Sequence, residues 1–127
     1  MHADDPGVNR LSERVIGCTF RVLNTLGAGF LEKVYENALA HEPRKAGLAV
    51  AQQRGTIVKY DGIVVGAYAV DLLVEETIIV ELKATKALDA AHTAQCLNYL
   101  KATELPPCLL LNFGKSRLEI RRFAHGR

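Results

Sequence analysis

Between Asp71 and Lys83 the chain reads DLLVEETIIVELK, and no other stretch limits the fold as tightly. AVDLLV and TIIVELK are apolar runs rich in Val, Ile and Leu, uninterrupted by Pro or Gly, and separated by Glu75 and Glu76. Runs of this kind belong to the middle of a sheet covered on both faces. Only Asp71, Glu81 and Lys83 break them with charge. Side chains alternate along a strand, so Glu81 and Lys83 share one face while Ile78, Val80 and Leu82 take the other.

A hairpin turning at Glu75 and Glu76 sets Asp71 opposite residue 80 or 81. Neighbouring strands run roughly 4.8 Å apart, so the carboxylates of Asp71 and Glu81 can converge on a single ion. Mg²⁺ is commonly held by one or two carboxylates together with water and substrate phosphate, which suits this pair. The competing reading is an internal ion pair of Lys83 with Asp71 or Glu81, because buried charge is costly unless paired or metal-bound. On these three residues alone, the ion pair is the more economical account.

The chain has 127 residues, 49% hydrophobic and 24% charged, enough for one domain with a single core. Disordered and fibrous classes are thereby excluded. Sixteen Lys plus Arg against 14 Asp plus Glu leave a net charge of +2, which does not announce a nucleic-acid binder. Lys115, Arg117, Arg121, Arg122 and Arg127 crowd the C-terminus, either as a phosphate contact or as a solvated charged edge. Cys18, Cys96 and Cys108 are odd in number and widely spaced, without zinc-ligand spacing, which points to reduced thiols in a cytoplasmic protein. Neither a signal-like N-terminus nor a membrane-length apolar run is present, so no membrane partner is expected.

In chain order, residues 1–10 are expected to form a disordered arm and residues 11–127 a single domain. Ser12 offers an N-cap for a helix carrying Val15, Ile16, Phe20, Leu23 and Leu26, closed by Gly27 or Gly29. A second helix from near Phe30 places Glu32, Tyr35, Glu36 and Leu39 on one side. Pro43 should kink or stop it. Strands are expected over Val50–Tyr60 and Ile63–Val74, joined by an Asp61-Gly62 hairpin turn with Gly66 as a candidate bulge. After Lys83, Asp89 caps a helix over Ala90–Thr103 on which His92, Gln95 and Tyr99 share a side, and Pro106-Pro107 ends it. CLLLNF and RLEIRRF then read as a buried strand and an edge strand. The order is ααβββαββ, an α/β fold.

The spacing Asp71…Glu81-Leu82-Lys83 across two strands resembles the PD-(D/E)XK nuclease superfamily. Gly29-Phe30-Leu31-Glu32-Lys33-Val34-Tyr35 is similar to the GxxExxY family signature, and Gln95-Cys96-Leu97-Asn98-Tyr99 to the QxxxY helix motif of the RecB-like branch. The proline common before the first acid is replaced by Val70. This resemblance implies a restriction-endonuclease-like core, a central mixed sheet flanked by helices. It further implies Mg²⁺ or Mn²⁺ at Asp71 and Glu81, with a glutamate of the second helix approaching the metal, Glu32 first and Glu36 second. Lys83 would serve the chemistry, and Gln95 and Tyr99 would line the cleft as further catalytic-site residues. His92 is read as a surface or supporting residue.

The function so implied is metal-dependent hydrolysis of nucleic-acid phosphodiester bonds, of DNA by resemblance. The alternative is a non-catalytic nucleic-acid-binding or protein-interaction module on the same fold, motivated by the low net charge and the bare core. The intact Asp71, Glu81 and Lys83 triplet argues against it. A homodimer is also expected, since cutting both strands of a duplex is easiest with two related sites, and the C-terminal edge strand is its candidate interface.

Overall fold

A computed structural model describes residues 2–124. Helices α1 (Pro6–Leu26) and α2 (Glu32–Lys45) precede strands β1 (Val50–Tyr60), β2 (Ile63–Val74) and β3 (Ile78–Lys83). Helix α3 (Ala90–Thr103) leads to β4 (Pro107–Asn112) and β5 (Glu119–Ala124). The strands form one five-stranded sheet in the order β1-β2-β3-β4-β5. All neighbours are antiparallel except β3 and β4, which run parallel because α3 carries the chain across between them. The mixed, helix-flanked sheet and its element order are those expected from the sequence.

Strand β3 lies at the centre and is buried on both faces, which is why it carries so few polar residues. Ile78, Val80 and Leu82 join Leu72, Val74, Leu109 and Leu111 on the face packed by α1 and α2. Ile79, with Leu73, Cys108 and Leu110, packs on the opposite side against Leu88, Cys96, Tyr99 and Leu100 around α3. Glu81 and Lys83 have the parity of Ile79, and so lie on the α3 side of β3.

Helix α1 starts at Pro6, earlier than the expected Ser12 cap, and takes up residues 6–10 of the stretch anticipated as an arm. Asp5 Oδ1 accepts the Gly7 N–H at 2.9 Å, and Pro6 at the first helical position needs no N–H partner, a stronger start signal than Ser12. Arg122 fastens this end by donating to the Ala3 carbonyl at 2.6 Å and to Asn9 Oδ1 at 3.1 Å. One member of the basic C-terminal cluster therefore has a structural task, and Lys115 pairs with Glu119 at 3.8 Å. Arg127 lies outside the described residues.

Helix α2 runs through Pro43 to Lys45, so the proline neither shortens it greatly nor splits it. Pro43 occupies the last turn, where the missing N–H costs a single bond at a fraying end. Asp61 and Gly62 adopt φ of 53° and 75°, the left-handed pair that a tight hairpin demands. The β1–β2 register slips between Val58 and Lys59, which pair with Gly66 and Val64, leaving Val65 as the bulged residue beside Gly66.

Candidate functional site

The β2–β3 hairpin turns on Glu75 and Glu76, both at φ 52°. Two non-glycine residues in this region are strained, and their side chains hold them: Glu75 accepts the Ala49 N–H at 2.7 Å, and Glu76 pairs with Arg54. The turn sets Leu72 against Val80, so the next step of the ladder brings Asp71 opposite Glu81. Side chains replace backbone carbonyls there. The Asp71 N–H donates to Glu81 Oε1 at 2.9 Å, and the Leu82 N–H donates to Asp71 Oδ2 at 2.9 Å.

Glu81 is only 1% exposed. Burial, and next the charge of Asp71, push its carboxyl up to about 9, so at neutral pH without a cation it holds a proton. Lys83 stands on the same face, half-buried, and the ion pairs among the described residues do not include one from Lys83 to Asp71 or Glu81. The internal ion pair that competed with a functional reading is therefore not formed.

The helix acids divide. Glu32, at the start of α2, is raised by partial burial and by Asp71, with Lys83 opposing, so all three groups sense one another. Glu36 lies one turn on and is 4% exposed. Its Oε2 accepts from Lys33 Nζ at 2.9 Å and Gln52 Nε2 at 2.8 Å, and its Oε1 from Gln53 Nε2 at 2.8 Å. Burial acts to raise this carboxyl, but these hydrogen bonds prevail and hold it below the ordinary range. Both of its oxygens are thus committed to side-chain donors.

Gln53 escaped the sequence reading. It sits in β1 at φ 51°, an unfavourable conformation for a side chain of this kind, and its Nε2 also reaches Asp71 Oδ1 at 3.2 Å. Only the weak alternation at the start of β1 marked the position.

On the α3 side of the sheet, Gln95 Nε2 donates to Tyr99 Oη at 3.0 Å, and that hydroxyl donates to the Ala69 carbonyl at 3.4 Å. Burial and the proximity of Glu81 push the Tyr99 phenol up to about 12, keeping it a donor. His92 instead belongs to the α3 cap, its Nδ1 accepting the Asp89 N–H at 3.2 Å.

The Gly29…Glu32…Tyr35 spacing separates into distinct tasks. Gly29 adopts φ 114°. Tyr35 is fully buried, stacks on Phe113 at 4.7 Å, donates to the Gly27 carbonyl at 2.6 Å and accepts the Phe30 N–H at 3.1 Å. The glycine and tyrosine shape the entry to α2, and Glu32 is the residue left to face Lys83.

A paired buried carboxylate beside an unpaired lysine, at the centre of a mixed sheet flanked by helices, coincides with a sequence match to the PD-(D/E)XK nuclease superfamily over residues 9–123. The chain belongs to the PD-(D/E)XK nuclease superfamily. Neither the curated proteins nor the solved structures gave a match. Among the described residues, no three His, Cys, Asp or Glu side chains form a group that could hold a metal ion by themselves. Of the four acids expected from the sequence, Glu36 is the one engaged by Lys33, Gln52 and Gln53. What this PD-(D/E)XK chain presents is the Asp71–Glu81 pair. Two oxygen donors, one carrying a proton that a cation can displace, suit a hard divalent ion that retains its waters.

Among the described residues no helix is long and apolar enough to cross a membrane.

Proposed function

We propose that the protein is a metal-dependent nuclease hydrolysing phosphodiester bonds of DNA, with Mg²⁺ or Mn²⁺ held by Asp71 and Glu81. The observation that carries this reading is Glu81, a carboxylic acid 1% exposed, facing Asp71 and sharing a strand face with Lys83, which is in none of the ion pairs among the described residues. A stability role would call for Lys83 to neutralise the acids. Instead the acids are left one positive charge short.

When bound, a divalent cation polarises the scissile phosphate and lowers the pKa of water at the site. Glu81 would hold the ion as a carboxylate, its proton released to solvent, with its Oε1 kept in place by the Asp71 N–H. The Leu82 N–H and Gln53 orient the Asp71 carboxylate in the same way. Lys83 stabilises negative charge growing on the phosphate. Glu32 would be the helix acid that approaches the ion, rather than Glu36, whose oxygens are already engaged by Lys33, Gln52 and Gln53. Gln95 supplies a donor on the α3 side, held in place by its hydrogen bond to the Tyr99 hydroxyl, which in turn is anchored to the Ala69 carbonyl. The finer placement in the GxxExxY family and the RecB-like branch belongs to the same proposal, as does a homodimer through the edge strand β5, for which light scattering should return twice the chain mass.

The test is cleavage of supercoiled plasmid and labelled single-stranded DNA with Mg²⁺, Mn²⁺ or EDTA, comparing wild type, Glu81→Gln and Lys83→Ala. Metal-dependent cutting that both variants lose by ~100-fold or more is expected. A folded wild type that cuts nothing under any metal overturns the reading and favours a binding module.

A further inference from the structure

The outer half of the β1–β2 hairpin stands beyond the rest of the sheet and exposes Ile57 at 49% and Tyr68 at 50%. Between this arm and α3 runs a groove of roughly 730 Å³, lined by Ile57, Lys59, Tyr68, Asn98 and Lys101. It continues into a second depression of roughly 440 Å³ that shares Tyr68 and Asn98 and is lined further by His92, Gln95 and Tyr99. The combined trough ends at Tyr99, whose hydroxyl bonds to the Ala69 carbonyl two residues before Asp71.

Three features define what fits. Neither lining contains an acidic residue, while Lys59 and Lys101 stand at one end. Among the described residues, the ion pairs include neither lysine, so both charges are available to a ligand. Tyr68 rests edge-on against Tyr99, with centroids 5.9 Å apart and planes at 74°, which fixes its ring while half its surface stays open. A fixed aromatic face flanked by aliphatic carbon and unpaired lysines matches a base and its phosphates in an unpaired strand. In a duplex the base faces are covered by their neighbours, and Tyr68 would have nothing to stack on.

We propose that the trough between the β1–β2 arm and α3 binds single-stranded nucleic acid, with Tyr68 stacking a base and Lys59 and Lys101 holding phosphates, and feeds that strand toward Asp71 and Glu81. This names the substrate class of the proposed nuclease and rests on that reading only for the direction of the strand.

Fluorescence anisotropy with a labelled 12-nucleotide oligo-dT in EDTA and low salt tests it without cleavage. The wild type should bind the oligonucleotide more tightly than a duplex of equal length. Tyr68→Ala should weaken binding ~10-fold, Tyr68→Phe should keep it, and Lys59→Glu with Lys101→Glu should weaken it and flatten its salt dependence. Circular dichroism and melting curves on each variant separate lost binding from lost folding. Unchanged binding in folded Tyr68→Ala and in the double charge reversal overturns the proposal, as does preference for the duplex. A dimer by light scattering that Tyr68→Ala dissociates also overturns it, because a second copy then fills the trough. Failure of the nuclease reading looks different: binding follows these rules while no metal supports cutting.

Discussion

The Asp71 N–H donates to Glu81 Oε1 at 2.9 Å, so the first acid of the site orients the second through its backbone rather than its charge. Repulsion between the carboxylates is relieved by the proton that Glu81 keeps up to about pH 9. In the proposed nuclease, a cation binding here would have to displace that proton.

Stability of the metal-free protein should therefore fall with rising pH. Glu81 ionises higher in the folded than in the unfolded state, so between the ordinary carboxylate range and about 9 the folded state binds more protons. Its contribution is fully present below the unfolded pKa and is lost as pH climbs toward 9. Thermal melts in EDTA from pH 5 to 9 should show this decline, and Glu81→Gln should flatten it. Added Mg²⁺ should raise the melting temperature of the wild type most at the alkaline end, and not that of Asp71→Asn.

Gln53 spends backbone strain on a bridge between Glu36 and Asp71. Gln53→Ala loses the bridge and keeps the strained φ; Gln53→Gly loses the bridge and relieves the strain as well. Urea denaturation should find the glycine variant more stable than the alanine variant by about 1 kcal/mol. Cleavage should drop by roughly 10-fold in both, because Asp71 is then oriented only by the Leu82 N–H. Equal stability would mean that the left-handed conformation at Gln53 costs nothing.

Asn112 clasps the segment that follows Lys83. Fully buried, it accepts the Thr85 N–H at 3.0 Å and the Gly114 N–H at 2.9 Å, and donates to the Thr85 carbonyl at 2.9 Å and Glu119 Oε1 at 2.8 Å. Asn112→Ala should cost about 2–4 kcal/mol in urea unfolding, since it strands buried backbone groups. A Cβ on Gly114 would meet the Thr85 carbonyl oxygen at 2.1 Å, so Gly114→Ala must push that loop aside at a similar cost.

Tyr35→Phe removes a hydroxyl that serves the Gly27–Phe30 turn while keeping the stack on Phe113. A loss of about 1–2 kcal/mol in stability is expected, with kcat nearly unchanged once folded. A large fall in kcat at unchanged stability would move Tyr35 from the scaffold into the chemistry.

Features encoded within short stretches were legible from the residues: the two-faced burial of β3, the Asp61-Gly62 and Glu75-Glu76 turns, the α3 cap at Asp89, and the common face of Glu81 and Lys83. Each follows from period, turn chemistry or capping, which need no knowledge of distant residues. The start of α1 was legible too, but Asp5-Pro6 outweighed Ser12 once Arg122 could reach Ala3 and Asn9 from the far end of the chain. Tertiary structure alone decided the division between Glu32 and Glu36. Both occupy one side of α2, and only the approach of Gln52 and Gln53 from β1 saturates one carboxylate while leaving the other near Lys83. The same holds for Lys83 itself, whose freedom from an ion pair depends on how β2, β3 and α2 close around it. Such outcomes rest on non-local distances of a few ångströms, and periodicity along a single chain does not carry them.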